Sequence, residues 1–176
     1  MFAWARLPLL VYLGSRLDDN VPTDIYQRHR GSSHWAWPSE DEGTSFSVSH
    51  SPIRHGDEAV LIVNVSGSVQ PDELPAELQD LPRFSLALQG AAPHPDAIVS
   101  VSALASFERA YRQVLAEVEA SYKHLRSLHV FAAAPVSTAV IMGRAWDRSV
   151  HPALVLYDRM DLGYKPAFRV GGHETA

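Results

Sequence analysis

The most constraining stretch lies in the second half of the chain. Residues 128–134 form an apolar strand pattern that stops at Pro135, and a helix pattern starts at Val136 or Ser137. His151-Pro152 then opens a second apolar strand over residues 153–157. Strand, helix and strand joined this tightly read as a βαβ unit, whose crossover is expected to be right-handed within a parallel sheet. Ala139 and Gly143 put small residues on one face of that helix, allowing close approach to the sheet. Just upstream, Leu104, Phe107, Tyr111, Leu115, Val118, Tyr122 and Leu125 recur every three or four residues. That spacing predicts an amphipathic helix over residues 104–126, about 34 Å long. The expected fold class is therefore α/β.

The other elements follow from the same cues. Residues 7–13 read as a buried apolar strand closed by Gly14-Ser15. Residues 18–30 read as polar, with a helix starting near Pro22-Thr23-Asp24, and residues 31–51 as a loop interrupted by Trp35 and Trp37. Residues 58–65 form a second strong strand, ending at Ser66-Gly67-Ser68. A short Pro-interrupted helix is predicted over 71–81, an edge strand over 84–88 and a last strand over 168–170.

Charge narrows the function. The 176 residues carry 15 basic against 20 acidic side chains, a net charge of −5. This argues against direct binding of duplex DNA, which needs a basic face, but leaves room for a small anion held by local donors. Only Lys123 and Lys165 are lysines. With no Cys there is no disulfide framework, thiol nucleophile or thiolate metal site, compatible with a reducing, cytoplasmic location. The apolar start is broken by Arg6 and Pro8 and falls short of the roughly 20 residues a bilayer requires, so no membrane partner is expected.

Open α/β sheets bind ligands beyond the carboxyl ends of their strands, often at a helix N-terminus. Three expected strand ends carry small polar residues: Gly14-Ser15, Ser66-Gly67-Ser68 and Pro135-Val136-Ser137-Thr138. Each could offer backbone N–H groups and hydroxyls to a phosphate; each is equally what a plain turn would use. Tyr26, Arg28, Arg30, Trp35 and Trp37 combine aromatic planes with guanidinium groups, suited to a nucleobase and its phosphate or to pinning a loop on the core. A third group comprises Arg144, Tyr157, Tyr164 and Lys165. No G-x-S-x-G elbow, P-loop, G-x-G-x-x-G or H-E-x-x-H occurs. The spacing of His29/His34 and His50/His55 is unspecific, and neither metal nor cofactor is expected.

The block from His129 to Arg144, HVFAAAPVSTAVIMGR, with His151-Pro152 and Leu156-Tyr157-Asp158, resembles the signature of SAVED domains. These are the nucleotide sensors of CBASS and related bacterial anti-phage systems. Tyr12-Leu13-Gly14-Ser15, residues 26–30 with Trp35-Ala36-Trp37, and residues 63–67 agree, so the resemblance spans roughly residues 9–169. It implies two fused CARF-like, Rossmann-like halves (approximately 1–95 and 96–176), with mainly parallel or mixed sheets and flanking helices around a shared pocket. It also implies a cyclic di- or trinucleotide ligand such as cyclic GMP-AMP, and a homo-oligomer formed on binding. A fused or associated effector is implied too, most like the HNH endonuclease-linked subgroup, lying outside these residues.

On that basis the expected ligand contacts are Ser66, Gly67, Ser68, Pro135, Ser137, Thr138 and Gly14 for phosphate or sugar. Trp35, Trp37, Tyr12 and Tyr157 are expected for base stacking, and Arg28, Arg144 and Lys165 for charge. Binding rather than catalysis is the expected activity. The alternative is a small α/β enzyme, a ring nuclease or hydrolase of such a ligand. Its one candidate base, His129, precedes Pro135 by six residues, about 20 Å along a strand.

Overall fold

The computed structural model describes residue 1 and residues 5–17, 22–29, 34–38, 44–52, 55–161 and 163–172. Among them are three α-helices and six strands: α1 (Leu7–Ser15), β1 (Phe46–His50), β2 (Glu58–Asn64), β3 (Arg83–Leu88), α2 (Val101–Ser121), β4 (Ser127–Ala133), α3 (Val136–Arg144), β5 (Ala153–Met160) and β6 (Gly163–Val170). Two 3-10 turns, Pro71–Glu73 and Ala76–Leu78, lie between β2 and β3. All six strands form one sheet in the order β1-β3-β2-β4-β5-β6. The central four are parallel, and β1 and β6 close the edges antiparallel. Residues 1–95 supply three of the strands and residues 96–176 the other three.

Alternation along the strands sorts side chains between two cores. Leu61 and Val63 of β2, Phe84 and Leu86 of β3, Leu128 and Val130 of β4 and Leu154 and Leu156 of β5 face the three helices. Val60, Ile62 and Phe131 face the other way, against Val69, Leu74 and Leu78 from the 3-10 segment and Tyr164 of β6. The α2 stripe supplies Phe107, Tyr111, Val114, Leu115 and Val118 to the larger core. Ser100 caps that helix, its hydroxyl accepting from the Ala103 amide at 3.0 Å.

The connections define a switch point. From β2 the chain crosses to β3 over the 3-10 face; from β4 it crosses to β5 through α3 on the helix face. Opposite directions on opposite faces give both crossovers the same hand, consistent with the right-handed rule. The carboxyl ends of β2 and β4, side by side, are therefore where the strand order reverses.

Five expectations are corrected. Residues 7–13 are helical, not a buried strand. Pro8 sits in the first turn, where a missing N–H costs nothing, and Leu9, Tyr12 and Leu13 stay exposed while Leu10, Val11 and Gly14 are buried. The described residues 22–29 are extended rather than helical, with Ile25, Gln27 and His29 buried alternately. Residues 46–50 form β1, not loop, because Phe46 and Val48 alternate with Ser and pair with β3. Strand β3 is accordingly internal rather than an edge. The helix expected over 71–81 breaks at Pro75 into the two 3-10 turns.

Gly143 approaches a helix, not the sheet. A Cβ on Gly14 would overlap the Val140 carbonyl, and one on Gly143 would overlap the Val11 carbonyl and lie 2.6 Å from the Ser15 amide. The two glycines let α1 and α3 cross backbone against backbone. Gly14 thus ends a helix at a helix crossing and belongs to no strand end.

Candidate functional site

The switch point, where topology places a crevice between the strand ends, is bordered by the segments that follow β2 and β4. On the β2 side, the amides of Val65 and Ser66 both donate to the Ala133 carbonyl, at 2.9 and 2.8 Å. The Asn64 side chain accepts from the Val69 amide at 2.8 Å, and the Val65 carbonyl accepts from His94 at 3.0 Å. The Ser66-Gly67-Ser68 loop is thereby pinned at both ends, with Ser68 exposed and Ser66 and Gly67 half-buried. The Ser66 and Ser68 hydroxyls have no hydrogen-bond partner among the described residues. A Cβ at Gly67 would meet only the Ala133 Cβ, at 3.5 Å.

On the β4 side, Pro135 caps α3 and no side chain closes its first turn. The opening amides of such a helix have no intrahelical carbonyl to receive them, and the helix dipole adds partial positive charge there. The side chains behave differently. Ser137 is 1% exposed and Thr138 fully buried. The Ser137 hydroxyl donates to Gln27 Oε1 at 2.6 Å, and the Thr138 hydroxyl donates to the Pro135 carbonyl at 2.6 Å. Both hydroxyl protons are thus committed to the frame, whereas the opening amides of α3 have no intrahelical acceptor.

Gln27 is the residue that sequence reasoning missed. Its Nε2 donates to the Ile98 carbonyl at 2.8 Å while its Oε1 receives Ser137, so one buried amide ties residues 22–29, the 89–99 loop and α3 together. The alternation of Ile25, Gln27 and His29 was the available signal. Because the Thr23 carbonyl accepts from Arg144 at the far end of α3, at 3.4 Å, and Gln27 meets Ser137 at its start, the segment runs along that helix, with Arg28 and His29 following Gln27. Arg28 is exposed. The His29 ring meets Trp37 edge-on at 5.3 Å, and its Nε2 is buried without a hydrogen-bond partner among the described residues. Burial pushes the His29 imidazole below its ordinary pKa, opposed by the Asp96 carboxylate.

The remaining expected residues divide. Trp37 and Arg144 share a cleft of about 220 Å³ with Tyr26 and Leu104, on the helix face. Arg144 lies at the end of α3 away from the crevice, about 12 Å from Val136 along the axis. Trp35 is half-buried nearby in sequence. Tyr12 stacks on Phe168 of the edge strand at 5.7 Å, outside the crevice. Tyr157 lies on the 3-10 face, stacked on Phe131 at 4.2 Å, with its hydroxyl 3.1 Å from His129 Nδ1. Lys165 is exposed on β6 opposite Asp158.

His129 is buried in mid-strand beside Glu58, four residues short of the end of β4. Burial lowers its pKa and, as the largest cause, raises that of Tyr157. No group of three or more His, Cys, Asp or Glu able to hold a metal occurs among the described residues. No helix among them is long and apolar enough to cross a membrane.

The fold is a mixed α/β sheet with backbone donors at its switch point, the place where sheets of this kind hold ligands when they bind them. Residues 1–170 match the model of the SMODS-associated and fused to various effectors sensor domain, and the chain belongs to this SAVED family. No curated protein matches it. Among solved structures it is similar to the Cap4 SAVED/CARF-domain containing receptor of Acinetobacter baumannii with the cyclic trinucleotide 2'3'3'-cAAA. That match has a TM-score of 0.72 and 22% identity, over 96% of this chain and 37% of that one. The same receptor with 3'3'3'-cAAA gives 0.67 and 21%, over 96% and 37%. The Cap4 receptor of Moraxella osloensis gives 0.66 and 20%, over 96% and 35%. The chain thus spans little more than a third of those receptors.

Proposed function

We propose that this chain senses a cyclic oligonucleotide, a cyclic di- or trinucleotide, at the crevice between the ends of β2 and β4. The observation that carries the reading is the donor-lined switch point in a member of a sensor family. The Cap4 relatives solved with a cyclic trinucleotide add weight to it. Phosphates rest on the Ser66-Gly67-Ser68 loop and the opening amides of α3, with Arg28 supplying charge. Trp37, and Trp35 beside it in sequence, offer a stacking plane worth about 1–3 kcal/mol per base.

The domain binds without cleaving, in the cytoplasm. Ligand favours a homo-oligomer that activates a fused or associated effector, an HNH-type DNA endonuclease of bacterial anti-phage defence, by its higher affinity for the assembled state. The HNH assignment, like the division into CARF-like halves at about residue 95, rests on sequence resemblance.

Calorimetry against cyclic di-, tri- and tetranucleotides, with chromatography of the recovered ligand, tests this. Sub-micromolar binding with intact ligand is expected. Cleaved ligand would make the chain an enzyme, and failure of the whole panel would remove the sensor reading. Sedimentation at saturating ligand tests the assembly step, which an unchanged monomer overturns.

A further inference from the structure

We propose that the cleft between the Pro71–Glu73 turn and the β5–β6 hairpin is a base subsite that selects a guanine-type edge, extending the crevice described above. The inference rests on the cyclic-oligonucleotide reading and adds the identity of one base to it. The cleft has a volume of about 440 Å³. Asp72, the lining residue nearest in sequence to the Ser66-Gly67-Ser68 loop, follows Ser68 by four residues, at most about 14 Å of chain. A cyclic oligonucleotide with one phosphate on that loop would, on this proposal, extend a base toward the cleft.

The walls define what fits. Arg159 and Tyr164 are cross-strand partners on the hairpin and project to one face. Arg159 Nη2 donates to Glu73 Oε1 at 2.6 Å, and the other Glu73 oxygen accepts from the Gln70 amide at 2.9 Å. Glu73 is thereby used up in the frame. Asp72 and Asp161 are exposed and have no partner among the described residues.

Tyr164 is 7% exposed, its ring set edge-on against Phe131 at 5.2 Å. It lines the cleft, and its hydroxyl has no hydrogen-bond partner among the described residues. Burial raises its pKa, keeping the hydroxyl protonated.

Three carboxylates against one guanidinium repel phosphate and call for N–H donors. A guanine edge supplies donors at N1 and N2 for a carboxylate, and acceptors at O6 and N7 for the spare N–H groups of Arg159 and for the Tyr164 hydroxyl. Adenine, with one exocyclic amine, satisfies fewer of these groups.

The test uses the 176-residue chain, cyclic di-GMP and cyclic di-AMP as probes, and the variants Asp72→Asn, Asp161→Asn and Tyr164→Phe. Each variant is checked for an unchanged melting temperature. Calorimetry should show tighter binding of cyclic di-GMP by the unaltered chain. At least one aspartate variant should lose tenfold or more for cyclic di-GMP and less than twofold for cyclic di-AMP. Equal losses for both probes, or none, overturn the base subsite and leave the sensor reading intact. Failure of both probes also overturns it, and binding of a cyclic trinucleotide in the same series then preserves the sensor. Binding of calcium or magnesium alone that disappears in Asp72→Asn or Asp161→Asn overturns it in favour of a cation site.

Discussion

The two walls of the crevice carry nearly the same residues and use them in opposite ways. Ser66-Gly67-Ser68 leaves its hydroxyls without a partner among the described residues and has room at its glycine. Ser137 and Thr138 turn theirs inward, and the neighbouring helix crossing has no room at Gly14 or Gly143. Small polar residues after a strand are thus two different things, a surface for something else or a fastening for the fold. What separates them is whether a second segment has arrived to claim their hydrogen bonds.

The largest expected effect tests the crossing. Gly143→Ala places a Cβ against backbone atoms of α1 that cannot yield as a side-chain tip would, and is expected to cost roughly 3 kcal/mol in urea denaturation. An unchanged midpoint would show that the helices can part, removing the contrast between the walls. Ser137→Ala comes next. It leaves Gln27 Oε1 buried without its donor, and a loss of about 1–3 kcal/mol is expected. A stable Ser137→Ala that instead loses ligand would return this hydroxyl to the binding surface.

The third prediction uses pH. His29 has a folded-state pKa below its unfolded value near 6.5 because burial disfavours the cation. The unfolded chain therefore binds more protons, and stability is lost as pH falls below about 6.5. Denaturation midpoints at pH 7.0 and 5.5 should converge in His29→Gln if His29 contributes as described, although His129 and His151 shift in the same direction and will leave a residue of the effect. An undiminished pH difference would sink the assignment to His29. Smallest of all, Gly67→Ala and Ser68→Ala should change stability by less than about 0.5 kcal/mol. A larger loss would make the β2 wall part of the frame as well.

Much of this architecture could be read from residue order alone. The β4-α3-β5 unit, the α2 stripe and strand β2 each carry a long, uninterrupted period, and local pattern then coincides with packing. The failures share a cause. Residues 7–13 are too short and too uniformly apolar for period to separate helix from strand, and the deciding factor is two glycines 129 positions apart that bring α1 onto α3. Residues 22–29 carry the cue of a helix start, yet they extend because Gln27 is claimed by Ile98 and Ser137, 71 and 110 positions away.

The same limit applies to the site. Strand ends point to a candidate location, but which hydroxyls remain available depends on partners that spacing along the chain does not encode.

The backbone-to-backbone crossing of α1 and α3 has a consequence for how such a domain can diverge. A side chain at position 14 or 143 would run into backbone of the opposite helix whatever the ligand, so both positions strongly favour glycine. The loop over 66–68 touches no such constraint, since a Cβ at Gly67 would meet only the Ala133 Cβ at 3.5 Å. Substitutions in that loop should therefore cost little stability, while the scaffold that positions it stays fixed.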